Sequence, residues 1–397
     1  MEEPHWANLP KHILDSILGK LESSMDFLRF SGVCVLWHEN VKNNQIRRNK
    51  MLRQHHAPML FIPSEEEEEC TWIIYDIINN KCLESKLEIP YDKRFCGSSE
   101  GWLVATDINY EVSLYKPYSF LKGEKNVESI SIQLPSICPK GIFYDSEDND
   151  SDSDDDLEDP NFDFYIYRTI ITADPLENSD DCRVIAIIRG SFELALIKPG
   201  KNTSWTKIDA RRLQFRDILY YNNQLYGIDV EGRLMSFEFR DWKYIISTKL
   251  RTSDFIGRRY LVKSYYGDLL QVERHIEFWY DEINGHQRAT KKFKIFKLDF
   301  EHQKWVEVRS LGDSTLFLGD NSSICVLASN FVGCQPNCIY FTHDDDTISS
   351  HPKGLFDSGI YNVETKSVLF HFSMDSTIFA KMSGRPPIWV VPTLNLY

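Results

Sequence analysis

No apolar run in the 397 residues approaches the roughly 18 that a membrane-spanning helix requires, so no membrane partner is expected. Three catalytic signatures are also missing: a glycine-rich phosphate loop, a Gly-x-Ser-x-Gly elbow and a His-Glu-x-x-His helix. Their absence removes the commoner enzyme classes that a sequence announces. The chain lacks a basic surplus as well. Its formal charge is -14, and two runs account for it: Glu65 to Glu69, and ten acids between Asp145 and Asp159 with no Lys or Arg among them. The remainder is close to neutral, at about +1, and offers no general field for DNA or RNA, so no nucleic-acid partner is expected.

Cysteine is present but carries no pattern. The nine thiols, at 34, 70, 82, 96, 138, 182, 325, 334 and 338, are scattered and odd in number. With no signal peptide in the acidic N-terminus, they are expected to be reduced, in the nucleus or the cytoplasm. Cys334, Cys338 and His343 come nearest to a metal set, but their spacing is no zinc pattern. Asp344, Asp345 and Asp346, followed by serines, Pro352 and Gly354, read as a solvated loop. Neither a metal nor any other cofactor is expected.

What is present falls into two texts. In the first, Ile13, Leu14, Ile17, Leu18 and Leu21 recur at steps of three and four, which places them on one helical face with Lys11, Asp15, Ser16, Lys20 and Glu22 turned to water. Asn8 can cap that helix, and Pro10 sits inside its first turn. Ser23 to Asp26 match a capping box, followed by Phe27, Leu28, Phe30, Val33, Cys34, Trp37 and Val41 at the same helical spacing. A unit of about forty residues cannot bury a stable core without something to pack against.

From Met59 onward the helical period disappears. Trp72–Ile78, Val112–Tyr115, Phe164–Thr172, Val184–Arg189, Leu194–Ile197, Leu225–Val230, Leu234–Phe239, Phe293–Leu298, Ile339–Thr342 and Val368–Phe372 read as strands, rich in β-branched and aromatic residues. A motif recurs among them, a strand running into a polar turn and returning through an apolar residue: Leu194 to Trp205, Lys294 to Trp305 and Ile360 to Val368, and more loosely Trp72 to Cys82 and Val112 to Pro117. Such a length of short strands overfills a β-sandwich, whereas six or seven propeller blades absorb it. An N-terminal strand near Met59 to Ile62 is expected to pair with one near Ile388 to Val391 and close the ring. The acidic segment 145–159 is too charged and too polar to order itself and is expected to be a disordered loop between blades. The exposed basic pairs Arg211-Arg212, Arg258-Arg259 and Lys291-Lys292 could recognise an acidic or phosphorylated partner, but paired basics on loops are ordinarily just solvated, and that is how they are read.

Two resemblances add to this. The order Leu9-Pro10, paired Ile-Leu positions, Asp26 before the second helix and Val33-Cys34-x-x-Trp37 resembles an F-box. Gly97 to Leu103, Phe215 to Tyr226, Leu311 to Gly319 with Asn321-Ser322, Cys338 to Thr342 and Pro387 to Pro392 are similar to the plant F-box family whose C-terminal half is the kelch-like domain of unknown function 295. Together they imply a small all-α F-box module over residues 4–45, a linker over 46–58 and an all-β, kelch-like propeller of six or seven blades over 59–397. They also imply a role: a non-catalytic substrate-recognition subunit of an SCF ubiquitin ligase, docking on a Skp-type adaptor, and through it on a cullin-RING ligase, while the propeller captures an unidentified protein. By the same resemblance Leu9, Pro10, Ile13, Leu14, Ile17, Leu18, Leu21, Val33, Cys34 and Trp37 would contact the adaptor. The alternatives are a propeller that only sequesters the adaptor or a partner, and, third, a propeller enzyme.

Overall fold

A computed structural model describes residue 6 and residues 9–20, 29–43, 57–65, 70–83, 93–107, 109–116, 130–137, 166–188, 192–208, 213–238, 244–249, 257–282, 285–344, 357–371 and 386–391. The acidic segment 145–159, the capping box at 23–26, Leu21, Arg211-Arg212 and most of the 46–58 linker lie outside them.

Among the described residues, the helices α1 (Lys11–Leu18) and α2 (Val35–Asn43), with a helical turn over 29–31 between them, precede the first strand. Twenty-five strands then form six sheets, the blades of a six-bladed β-propeller. Blade 1 is β1 (Met59–Glu65), β2 (Cys70–Asp76) and β3 (Lys81–Leu83), with β25 (Ile388–Val390) inside β1. Blade 2 runs β4 (Arg94–Ser99), β5 (Trp102–Thr106), β6 (Val112–Lys116), β7 (Ile130–Leu134), and blade 3 runs β8 (Ile166–Ile171), β9 (Val184–Ile188), β10 (Leu194–Ile197), β11 (Thr206–Ile208). Blade 4 is β12 (Phe215–Tyr221), β13 (Gln224–Asp229), β14 (Arg233–Phe237), β15 (Tyr244–Lys249), and blade 5 is β16 (Gly257–Lys263), β17 (Leu269–Asp281), β18 (Gly285–Asp299), β19 (Lys304–Val308). Blade 6 holds five strands, β20 (Ser314–Leu318), β21 (Ser323–Leu327), β22 (Cys338–Phe341), β23 (Gly359–Asn362) and β24 (Ser367–His371). There β20 turns back into β21, which takes the inner position, and the chain then crosses outward to β22, parallel to β20.

Burial follows position in the blade. Strands β5, β8 and β9 are buried along their whole length, because each is covered by a neighbouring blade on both faces and so reads as a continuous apolar run. The outer strands β11 and β19 are largely exposed. The recurrent motif of the sequence is the turn into the outermost strand. Asp76 accepts the backbone N–H of Ile78 and Asn79, Asp299 that of Glu301 and His302, and Asn362 that of Glu364 and Thr365, all at 2.9–3.1 Å. These are Asx turns, in which a short polar side chain replaces a backbone acceptor.

Inner strands approach one another closely. A Cβ on Gly97 would lie 2.1 Å from Thr169 Oγ1 and 2.4 Å from the Thr169 carbonyl oxygen, so only glycine lets β4 pass β8 at this distance. The ring closes as the sequence predicts: Met59, Leu60 and Phe61 pair with Val390, Trp389 and Ile388 in an antiparallel ladder. A strand from each end of the propeller thus shares one blade, which leaves no open edge between the last blade and the first.

Candidate functional site

Two surfaces carry side chains that the fold itself does not use up. The first is the helical pair. Leu14, Leu18, Phe30, Trp37 and Val41 are buried together, with Leu9, Ile17 and Cys34 packed partly against them. The Phe30 and Trp37 rings lie 4.4 Å apart, the Trp37 indole donates to the Trp6 carbonyl at 3.1 Å, and Asn40 donates to Asp15 at 3.2 Å. Outside this small core stand Trp6, Ile13, Val33, Val35 and Leu36, exposed by 64, 39, 53, 75 and 46 %. That much exposed apolar area on so short a unit makes this face a candidate contact surface.

The second surface is the mouth of the propeller at the end where the inner strands begin. Each of four consecutive inner strands places an arginine there: Arg94 on β4, Arg168 on β8, Arg216 on β12 and Arg258 on β16. A cavity of about 420 Å³ opens among the last three, lined also by Arg259, Arg288, Tyr167, Tyr260, Ile276, Phe278 and Asp320. That volume falls within the range of ligand pockets, about 300–1,000 Å³.

Beneath the mouth, guanidinium and carboxylate groups are tied into the blades. Asp320 binds Arg94 and Arg258, each at 2.9 Å. Asp217 lies 2.6 Å from Arg168 Nε and accepts the N–H of Ile218 and of Leu261, both at 2.7 Å, which pins blade 3 to blade 4 and blade 4 to blade 5. Complete burial pushes its carboxyl up to about 6, against the pull of Arg168. Arg274 is wholly buried between Asp344 at 3.1 Å and Asp357 at 3.0 Å, and it also donates to the carbonyls of Thr342 and Asp357. Arg288 bridges the same two acids at 2.7 and 3.3 Å, and the Tyr260 hydroxyl donates to Asp344. Burial alone would raise the Asp344 pKa; Arg274, Arg258 and Arg288 outweigh it and hold the carboxyl well below the usual range. Arg259 is paired to Glu273 at 3.1 Å and to the Val230 carbonyl at 3.0 Å. Arg216 differs from all of these. It is exposed, its guanidinium lies 4.4 Å from the Phe192 ring centre, and among the described residues no carboxylate reaches it.

One wall of the mouth rises above the ring. In blade 5, β16 pairs only with residues 269–275 of β17, and β19 only with residues 295–299 of β18. Among the described residues, 276–281 and 285–290 pair only with each other, as a two-stranded arm. Phe278, Trp279 and Tyr280 are exposed on it by 55, 43 and 67 %. Phe278 stands directly opposite Arg288 in the ladder, and Ile276 opposite Thr290, so these four share the arm's cavity-side face.

Comparison with known proteins supplies the family. The profile of the KIB1-4 beta-propeller matches residues 74–362, most of the chain. The chain belongs to the KIB1-4 beta-propeller family. Curated relatives from Arabidopsis thaliana extend the match beyond the propeller. F-box protein At2g17036 is 26 % identical over 97 % of this chain and 94 % of its own length, and F-box protein SKIP23 is 24 % identical over 97 % and 95 %. F-box protein At2g26160 is 24 % identical over 86 % and 96 %.

For this KIB1-4 propeller the sequence-based set divides. Leu14, Leu18 and Trp37 are core of the helical pair, Leu9, Ile17 and Cys34 are half-buried, and Pro10, Ile13 and Val33 are exposed. Trp6, Val35 and Leu36 join the exposed face without having been singled out by helical spacing. Two sequence readings at the mouth are corrected. Arg258 and Arg259 are not loop residues but lie on the inner strand β16, Arg259 buried, where carboxylates from other strands and loops hold them. Asp344 is not solvated: it is fully buried because Arg274 and Arg288, distant in sequence, converge on it. Cys334 and Cys338 belong to an apolar cluster between blades 6 and 1, and burial pushes the Cys334 thiol up to about 11.

Proposed function

We propose that this chain is the substrate-recognition subunit of an SCF ubiquitin ligase, with its N-terminal helices acting as an F-box on a Skp-type adaptor and its propeller holding the protein to be modified. The observation that carries this reading is the pairing of two facts. The relatives that align over 97 % of the chain, helices included, are named F-box proteins, and the helical pair leaves Ile13, Val33, Val35 and Leu36 uncovered beside a closed core of Leu14, Leu18 and Trp37. On this reading Pro10, Ile13, Val33, Val35 and Leu36 touch the adaptor directly, whereas Leu14, Leu18 and Trp37 shape the face that does so. Leu21, outside the described residues, keeps the contact role that the resemblance gives it. The chain performs no bond-making step itself. It raises the local concentration of the captured protein at the ubiquitin-loaded enzyme, and the rate gain comes from proximity.

The test is co-purification of the full chain with a plant Skp-type adaptor, beside the double variant Ile13→Asp with Val33→Asp. Both side chains are exposed, so the variant keeps the helical core and loses only the apolar contact. Retention of the adaptor by the native chain and its loss by the variant supports the reading; equal retention, or none by a folded native chain, removes it. Ubiquitin transfer to a captured protein in the reconstituted complex separates a working ligase from a propeller that merely occupies the adaptor.

A further inference from the structure

The mouth of the propeller is built for an anion. Five of the twelve residues lining its cavity are arginines, Arg168, Arg216, Arg258, Arg259 and Arg288, and one, Asp320, is an acid. Ion pairing inside the ring explains why most of these guanidiniums are where they are, but not Arg216. It lies at the rim, exposed, stacked on Phe192 and beyond reach of any described carboxylate. Arg258 is still about a fifth exposed beside it, and its guanidinium stands 5.2 Å from the ring centre of Tyr167. Arginines from three successive blades therefore converge on one cavity, each held by its strand rather than by a loop.

Planar guanidinium forks arriving from several directions suit a group with several equivalent oxygens and a double negative charge better than a flat carboxylate, which one fork already saturates. A phosphate monoester meets both conditions, with about -1.5 to -2 charges and three acceptor oxygens. The arm of blade 5 adds the second part of the argument. Ile276 and Phe278 continue the cavity wall outward, and Tyr280, two residues on, shares their face. A small phosphorylated metabolite would fill the cavity and leave this aromatic edge bare, whereas a peptide chain crossing the mouth covers both.

We infer that the arginine-lined mouth of the propeller binds a phosphorylated segment of a partner protein, its phosphate against Arg216, Arg258 and Arg168 and an apolar neighbour against Phe278 and Tyr280. This rests on the reading of the propeller as the capturing half of the chain and gives that capture a chemical class.

The experiment uses the full chain and a degenerate peptide library with one fixed central phosphoserine, phosphothreonine or phosphotyrosine, beside the same library without phosphate. The native protein retains the phosphorylated library selectively. Arg216→Ala, at an exposed site with no ion pair among the described residues, lowers that retention about tenfold to a hundredfold, the range for losing a hydrogen bond to a charged group. Phe278→Ser lowers it as well, and Lys304→Ala, on the outer strand β19, leaves it unchanged. Inorganic phosphate competes in the millimolar range, and raising the salt weakens binding. Equal retention of both libraries, or phosphate-dependent retention that Arg216→Ala does not alter, overturns the inference. Inorganic phosphate that raises the melting temperature while no peptide is retained overturns it too, in favour of a free phosphorylated metabolite. No adaptor is present in the assay, so its failure leaves the helical-face test standing, and loss of adaptor capture leaves this one readable.

Discussion

The indole N–H of Trp389 donates to the carbonyl of Leu318, 3.1 Å away, across the seam where the last blade meets the first. The backbone N–H of the same residue donates to the Ser322 hydroxyl oxygen at 3.1 Å, and its ring stands edge-on to Phe317 at 5.1 Å. Trp389 is fully buried, and its strand β25 is the inner member of blade 1, paired to β1 over three residues. Closure of the whole ring therefore rests on a very short strand and one large side chain.

Removing that strand should undo the propeller. A chain ending at Pro386 loses the inner strand of blade 1 and exposes Leu60, Phe61 and Phe317, all fully buried. It is expected to lose its cooperative melting transition and to bind a hydrophobic dye. Trp389→Ala, a milder cut, should cost about 3–5 kcal/mol, the usual range for deleting a buried tryptophan. A soluble truncated chain with a sharp melt would show that the seam is held elsewhere.

Arg274 offers a second measurement, because its surroundings decide its sign. A buried ion pair is weak evidence of stability, since well-packed apolar residues often replace it without loss; breaking one side of it is another matter. Arg274→Met leaves Asp344 and Asp357 buried with Arg288 as their main remaining partner, and the carbonyls of Thr342 and Asp357 lose a donor each. The expected loss is about 3–5 kcal/mol by chemical denaturation. Arg274→Lys should recover only part of it, because a single ammonium cannot serve two carboxylates and two carbonyls in the guanidinium's plane. Full recovery by lysine would mean that charge alone, and not the fork, is what the site requires.

How much of this was legible in the sequence depended on how local the cause was. Each of the ten segments read as strands holds a strand within its described residues, because a run such as Val184 to Ile188 is buried by its own composition wherever it is placed. Within Gly97 to Leu103, a segment that the resemblance singled out, Glu100 and Gly101 turn at positive φ, 53° and 78°, and Trp102 is fully buried in a cluster that joins blades 2 and 3. Strands rich in charge escaped. In Leu269–Asp281, Glu273, Arg274 and His275 break the apolar pattern, and only partners far off in sequence, Arg259, Asp344 and Asp357, make their burial tolerable. The arginine mouth was hidden for the same reason. Arg94, Arg168, Arg216 and Arg258 have irregular spacing in the chain, and only the ring of inner strands gathers them at one end. On the helices, spacing identified the apolar set, but it could not divide contact residues from core, since Ile13 and Leu14 differ by one step around the helix and by complete burial.

Two buried groups give the protein a pH response of a particular shape. Asp217 has its carboxyl pushed up to about 6 by burial, against an ordinary value of 3.8. Between those values the folded chain keeps a proton that the unfolded chain releases, so this group lowers stability as the pH rises from about 4 to 6, by roughly 3 kcal/mol in all. His275 has its imidazole pushed down to about 4 from 6.5 by burial first and then by Lys292, Lys294 and Arg259. Between 4 and 6.5 the unfolded chain holds the extra proton, so this group raises stability as the pH rises, with a magnitude reduced by its partial exposure to solvent. The two slopes oppose each other in nearly the same window. Asp344 and Asp357, held below the ordinary value, titrate under pH 4 and add nothing there. The native chain's melting temperature should therefore change less between pH 4.5 and pH 6.5 than Asp217 alone would make it. His275→Gln removes the rising slope and leaves the falling one, so the variant's melting temperature should be higher at pH 4.5 than at pH 6.5. A variant whose melting temperature instead climbs with pH across this window would show that Asp217 is ionised in the fold at pH 4.5, with Arg168 outweighing its burial.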